Sequence, residues 1–297
     1  MATKSHLNVD VLTGNSGIET APGQITRAKE IAEYKVISVN KNAPVYDAIN
    51  LMVKHDITGL PVVDETGLRG IISEKDVLKL LYDTEFIGGC VGDYMTTDVF
   101  TFDEEDDIVD ICQCLMNNSF RRVPVLRGGK LVAIITRADI IRANKNRFRP
   151  VVPHDPTLTH PNFLLARHVM TCGLLTVSRN TPIYRAMELI AAGDITGLPV
   201  VDDAMKLIGI VSEKDLIKLL CDQNAGAGLV QDVMTREVVS FDWDDSLFEI
   251  CQCLINNNFR RIPILEKGKL TGIISRRDII MYIMQNKDHF FRQKPKG

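Results

Sequence analysis

Asp56-Ile57-Thr58-Gly59-Leu60-Pro61-Val62-Val63-Asp64 returns letter for letter from Asp194 to Asp202. An identity of that length inside one chain marks a repeat, and a repeat decides a fold before local propensity does. Working outward, ICQCL from Ile111 matches ICQCL from Ile250, FRRVPVL from Phe120 matches FRRIPIL from Phe259, and RADII from Arg137 matches RRDII from Arg276. These three pairs lie 139 positions apart and the first lies 138 apart, so the second half carries one extra residue, placed between Ala204 and Leu207. A loop absorbs such an insertion at little cost. Each half is itself double: Pro61 and Pro124 precede apolar pairs, GIISEKD from Gly70 and AIITRAD from Ala133 close the two copies, and the spacing is 63 throughout. GIVSEKD from Gly209 and GIISRRD from Gly272 repeat the pattern. The chain is four copies of one unit, arranged as two pairs.

Within the first copy, Val36 to Val39 reads as a short strand, and after Pro44 the residues Val45, Ile49, Met52 and Val53 fall at helical spacing. Two β-branched runs, LPVVD and LRGIIS, flank the turn signal Glu65-Thr66-Gly67, and Val77, Leu78, Leu80 and Leu81 resume the helical period. The unit is β-α-β-β-α. The second copy follows with Val99 to Phe102, Ile108 to Met116, Val123 to Leu126, Leu131 to Thr136 and Ile140 onward. The acids from Asp103 to Asp107 stand where a helix begins and suit the positive end of its dipole. A single unit of about 60 residues has a small core, so copies are expected to pack in pairs. The expected fold is α/β (α+β), four such repeats forming two modules.

The domain plan follows. Residues 1–26, polar and carrying Gly14, Gly17, Pro22 and Gly23, are expected to form a flexible arm. The first module takes 27–147, with repeats at 27–82 and 90–147, and the second takes 166–286, with repeats at 166–222 and 229–286. Between them, 148–165 is a connector rich in proline (Pro150, Pro153, Pro156, Pro161), and 287–297 reads as a basic tail.

Composition bounds the function. With 297 residues, 45% hydrophobic and 25% charged, the chain is an ordinary globular sequence rather than a disordered or fibrous one. No apolar run approaches the roughly 18 residues of a membrane span, and the first thirty residues lack a signal peptide's features, so a cytoplasmic protein without a membrane partner is expected. Seven cysteines, an odd number, read as reduced thiols. Lys+Arg 35 against Asp+Glu 38 gives a net charge of −3, which argues against a nucleic-acid partner.

Chemistry concentrates at one junction. Ser73 and Asp76, Thr136 and Asp139, Ser212 and Asp215, and Ser275 and Asp278 place a hydroxyl and a carboxylate three apart in every copy, where the last strand meets a helix. That spacing fits a capping box. It equally fits a nucleotide site, with free N–H groups and a hydroxyl for phosphate and a carboxylate for ribose hydroxyls. A second feature breaks the symmetry: even copies carry Arg121, Arg122, Arg260 and Arg261 where odd copies have Thr58, Gly59, Thr196 and Gly197. The residue after the hydroxyl is Arg137 or Arg276 in even copies and Glu74 or Glu213 in odd ones. Such arginines either pair with acids or bind phosphate. Recurrence beside strand ends favours phosphate, and the even clefts, with Thr136/Asp139 and Ser275/Asp278, are expected to bind more strongly because Glu74 and Glu213 should repel a phosphate. Cys112 with Cys114 and Cys251 with Cys253 are two apart on a helix and diverge, unlike a metal knuckle. No HExxH, GxSxG or GxGxxG occurs, so no metal and no catalytic set is expected.

The pattern ITGLPVVD…GIISEKD resembles a cystathionine-beta-synthase (CBS) domain, and four copies cover Lys29 to Gln285 as two Bateman modules. The arrangement is similar to that of the gamma subunit of AMP-activated kinase, although Arg121 and Arg260 stand where that family often has histidine. The resemblance implies that paired copies leave two clefts per pair, that these bind AMP, ADP, ATP or another adenosyl ligand, and that the hydroxyl/Asp pairs and the arginines hold ribose and phosphate. It further implies a non-catalytic regulatory protein that requires no cofactor, forms a homodimer through the helical faces of its modules, and acts on a separate regulated protein. Two other readings are a scaffold with vestigial clefts and a sensor of S-adenosylmethionine or a related compound. Ala133, in place of the usual glycine, is expected to narrow its cleft.

Overall fold

Every repeat opens on one helical turn, Ala28–Glu30, Val91–Asp93, Ala166–His168 and Val230–Val233, and each turn buries its first residue. In this computed structural model, residues 26–83, 88–118, 120–149, 164–193, 195–221 and 228–291 are described; the expected arm and most of the proline-rich connector lie outside them. Repeat 1 comprises β1 (Val39–Asn40), α1 (Val45–His55), β2 (Gly59–Asp64), β3 (Gly67–Ser73) and α2 (Glu74–Asp83). Repeat 2 comprises β4 (Phe102–Asp103), α3 (Ile108–Asn117), β5 (Arg122–Arg127), β6 (Lys130–Thr136) and α4 (Arg137–Asn144). Repeat 3 has α5 (Ile183–Ala192), β7 (Gly197–Val201), β8 (Leu207–Ser212) and α6 (Glu213–Cys221), its opening strand reduced to a bridge between Val177 and Val200. Repeat 4 has α7 (Val230–Val233), β9 (Phe241–Asp242), α8 (Leu247–Asn256), β10 (Arg261–Glu266), β11 (Lys269–Ser275) and α9 (Arg276–Gln285), followed by α10 (Lys287–Phe291).

In each three-stranded sheet the short opening strand runs parallel to the central one, which pairs antiparallel with the last, as in β1-β2-β3. The central strands carry the proline segments and bury at least half of their side chains, as expected for strands covered on both faces. Asp107 caps α3 by accepting from the Val109 N–H at 2.8 Å, so the acidic stretch serves the helix start.

An exchange of edges joins the two repeats of a module. Thr96, in the opening segment of repeat 2, bridges Ile71 in β3, and Glu33, in the opening segment of repeat 1, bridges Ile134 in β6. Thr235 with Ile210 and Thr171 with Ile273 do the same in the second module. Beside three of these bridges a methionine lies over a glycine. A Cβ on Gly70 would stand 2.8 Å from Met95 Sδ, one on Gly209 2.7 Å from Met234 Sδ, and one on Gly272 2.6 Å from Met170 Sδ. At the fourth bridge the positions equivalent to the methionine and the glycine are held by Ala32 and Ala133.

The two modules meet through helices, like repeat against like. One core gathers Ile111, Leu115 and Ile140 of repeat 2 with Ile250, Leu254 and Ile279 of repeat 4, and the other gathers Ile49, Met52 and Val77 of repeat 1 with Ile183, Ile190 and Leu216 of repeat 3. Across the modules α2 packs on α6 and α4 on α9. This corrects the expected route to a homodimer: the helical faces are apolar, and burying them is favourable, but they cover one another within a single chain. The basic tail is also partly helix. α10 buries Phe290 and Phe291 on the even-repeat core, where Phe290 meets Phe148 at 4.8 Å between ring centroids.

Candidate functional site

At all four strand-to-helix junctions the carboxylate turns back on its own hydroxyl residue. Asp76 Oδ2 accepts from the Ser73 N–H at 2.9 Å and hydroxyl at 2.6 Å, and Asp215 does the same for Ser212 at 2.9 and 2.6 Å. Asp139 accepts from Thr136 at 2.8 and 2.6 Å, and Asp278 accepts from the Ser275 N–H at 2.7 Å and from its hydroxyl. The capping function is therefore real in every copy, worth about 1 kcal/mol each. It occupies only one oxygen. The second oxygen of Asp139 takes Arg142 at 2.5 Å, and that of Asp278 takes the Thr171 hydroxyl at 2.7 Å. Asp139 and Asp278 are buried, whereas Asp76 and Asp215 are half-buried.

The parity of the arginines has a geometric cause. The pseudo-twofold within a module sets equivalent positions side by side near its axis, so Arg122 faces Gly59, its own counterpart. Arg122 donates to the Gly59 carbonyl and the Thr58 hydroxyl, and Arg261 donates to the Gly197 carbonyl at 2.6 Å. A Cβ on Gly197 would lie 2.7 Å from the Val211 carbonyl and 3.1 Å from Arg261 Nη1, so glycine lets the guanidinium approach. Loss of hydration pushes Arg122 and Arg261 down to about 10, which leaves both charged at neutral pH. Arg137 and Arg276 reach back to carbonyls at the ends of the preceding helices, Leu115 at 2.8 Å and Leu254 at 3.3 Å.

Arg121 and Arg260 cross between modules. Arg121 forks onto Glu213 at 2.7 and 2.9 Å, and Arg260 onto Glu74 at 2.7 and 3.2 Å. The glutamates that the sequence reading set against phosphate are thus neutralised by arginines from the opposite module, a pairing that no spacing in the chain announces. Glu74 is 3% and Glu213 1% exposed. Burial pushes the Glu74 carboxyl up, and Arg260 pulls it back only in part. Alongside, Asp56 binds Lys214 and, at 3.1 Å, the Asn258 amide, whose oxygen accepts from Arg276 at 2.9 Å.

A cavity of about 720 Å³ runs across both modules. One end holds Thr136 and Asp139 with Lys35, Ile37 and Pro61; the other holds Ser275 and Asp278 with Leu175, Ile195 and Pro199; Arg121 and Arg260 line it as well. The two even clefts are one continuous space. A separate cavity of about 290 Å³ holds Ser212 and Asp215 with Val239, Phe259 and Pro263. Ile37, Phe100, Leu175 and Val239 share one register, two residues before the residue that pairs with the central strand, and the last three are 50%, 50% and 46% exposed. The sequence reading absorbed these apolar positions into strands. Their signal was an apolar residue at the same place in each copy.

The cysteines of the two CxC pairs pack in or beside the core. Cys112 and Cys251 are fully buried and burial raises their thiols, while Cys114 and Cys253 are half-buried beside Asn118 and Asn257. Among the described residues no group of three or more His, Cys, Asp or Glu side chains could hold a metal ion, and no helix is long and apolar enough to cross a membrane.

Four sheets with edges exchanged in pairs, each with a hydroxyl/Asp junction, define a tandem of Bateman modules. The chain belongs to the CBS domain family, whose model matches residues 28–83, 91–146, 166–222 and 230–285. Protein MJ1225 of Methanocaldococcus jannaschii is 30% identical over 191 residues, which span 64% of this chain and 68% of that protein. Protein MJ1404 of the same organism is 26% identical over 278 residues, 87% of this chain and 62% of that one. The crystal structure of MJ1225, described as a candidate archaeal homolog of g-AMPK, aligns with a TM-score of 0.77 at 20% identity over 86% of this chain and 99% of that one. An uncharacterised conserved protein from Pyrococcus horikoshii aligns with a TM-score of 0.58 at 23% identity over 86% and 99%.

Proposed function

We propose that the protein is a non-catalytic regulator that binds adenine nucleotides (AMP, ADP or ATP) in its even clefts and transmits their presence to a partner protein. The observation that carries the reading is the shared cavity, with a hydroxyl/Asp pair and an apolar side chain at each end and arginines along its walls. In this reading Ile37 and Leu175 take the base, Asp139 and Asp278 the ribose hydroxyls, and Thr136, Ser275 and the neighbouring arginines Arg122, Arg137, Arg261 and Arg276 the first phosphate. Because the cavity crosses the module boundary, a ligand in it contacts both modules. It biases their relative disposition by its differential affinity for the alternatives. The half-buried clefts at Ser73/Asp76 and Ser212/Asp215 are the weaker sites. Their segment at the register of Lys35 and Gly173 carries Asp98 and Glu237, which add negative charge.

Thermal unfolding with AMP, ADP, ATP and S-adenosylmethionine tests this directly. A nucleotide at 100 times its dissociation constant should add about 2.7 kcal/mol to stability. A shift with S-adenosylmethionine alone would replace the nucleotide by an adenosyl sulfonium ligand, and no shift with any of them would leave a scaffold with vestigial clefts.

A further inference from the structure

We propose that the two even clefts are unequal adenylate sites, the Ser275/Asp278 end filling before the Thr136/Asp139 end, with Arg142 and Glu33 setting the difference. The inference rests on the nucleotide reading above and deepens it. Glu33 bridges β6 and Thr171 bridges β11 in the same register, so the two opening segments run alongside the two ends of the shared cavity. Their side chains are not the same: Glu33 and Lys35 at one end answer to Thr171 and Gly173 at the other. The helices differ as well, because Ala138 and Arg142 of α4 stand where α9 has Arg277 and Met281.

The consequence falls on the carboxylate that takes the ribose. Asp278 accepts from the Ser275 N–H and hydroxyl and, at 2.7 Å, from the Thr171 hydroxyl, so among the described residues its hydrogen bonds come from uncharged donors. A ribose hydroxyl that meets this carboxylate gains a charge-assisted bond, roughly twice as strong as a neutral one. Asp139 has the same cap, but its second oxygen holds the Arg142 guanidinium at 2.5 Å. A ribose at that end must displace Arg142 or share a carboxylate that is already neutralised. The Arg142 side chain is 53% exposed, so its release costs little enough for the cleft to remain usable. Glu33 adds to the difference: a carboxylate has no proton to give Asp139, and it accepts from the Lys35 N–H at 2.9 Å instead. Net charge does not separate the ends. Glu33, Lys35 and Arg142 together add one positive charge to the first, and Arg277 adds one to the second, so the placement of charge sets the order.

Calorimetric titration of AMP into single-cleft variants of the full chain reads the order free of any repulsion between two bound adenylates. D139N leaves the Ser275/Asp278 end intact, and D278N leaves the Thr136/Asp139 end. D139N is expected to bind AMP about 10-fold more tightly than D278N, the difference of one weakened charge-assisted bond. Adding E33T/R142M to D278N gives its intact cleft the residues found at the same positions of the other, and should bring its affinity within about threefold of that of D139N. Equal affinities of D139N and D278N, tighter binding by D278N, or no gain from E33T/R142M would overturn the proposal. Absence of AMP binding by the wild type is a separate failure, that of the nucleotide reading. If the triple variant does not fold, R142M in D278N carries the test, with an expected gain of about threefold or more.

Discussion

Replacing Arg121 by alanine should destabilise the protein by about 3–5 kcal/mol, the cost of stranding a buried charge. Glu213 is 1% exposed and depends on Arg121 for both of its short ionic bonds. The consequence reaches beyond one pair, because Arg121 belongs to the first module and Glu213 to the second, so the bond ties the modules across their centre. Removing both charges with Arg121→Leu/Glu213→Leu should recover much of the loss, since a buried pair and an apolar replacement are often comparable. Denaturant unfolding of the three variants measures this. A deficit below about 1 kcal/mol for Arg121→Ala would give the pair the weight of a surface salt bridge.

The second large effect concerns affinity. Asp139→Asn together with Asp278→Asn should weaken AMP binding by about 10- to 150-fold per cleft, the equivalent of one charge-assisted hydrogen bond of about 1.5–3 kcal/mol. Asparagine retains the oxygen that accepts from Thr136 or Ser275, so the helix cap survives and stability should change little. Calorimetry separates the two roles that one carboxylate plays. Lost affinity with an unchanged melting point assigns Asp139 and Asp278 to the ligand. Unchanged affinity confines them to the cap.

The fold was legible because it is written four times. Periodicity, turn residues and the exact return of DITGLPVVD located the four units and their pairing into modules, since each of those signals is local or self-referential. Contacts that join different units left fainter marks. Gly59 opposite Arg122 was visible as a broken symmetry, yet its reason is the approach of equivalent positions at an axis, which exists only in three dimensions. Arg121 with Glu213 spans 92 residues and Arg260 with Glu74 spans 186, and sequence order offers no rule that couples them. The pairing of Met95 with Gly70 belongs to the same class: Ala133 was noticed as a departure from glycine, while the alanine at 32, where the other copies carry methionine, was not. Apolar helix faces announced an interface but not its owner, which proved to be the same chain.

The most direct test is native mass spectrometry of the full chain titrated with AMP, beside its Asp139→Asn/Asp278→Asn variant. Two adenylates should bind each wild-type chain first, one per even cleft, and both should be lost from the variant at the same concentration. A wild-type spectrum without adducts, or a variant that keeps both, would contradict the assignment of the shared cavity to nucleotide.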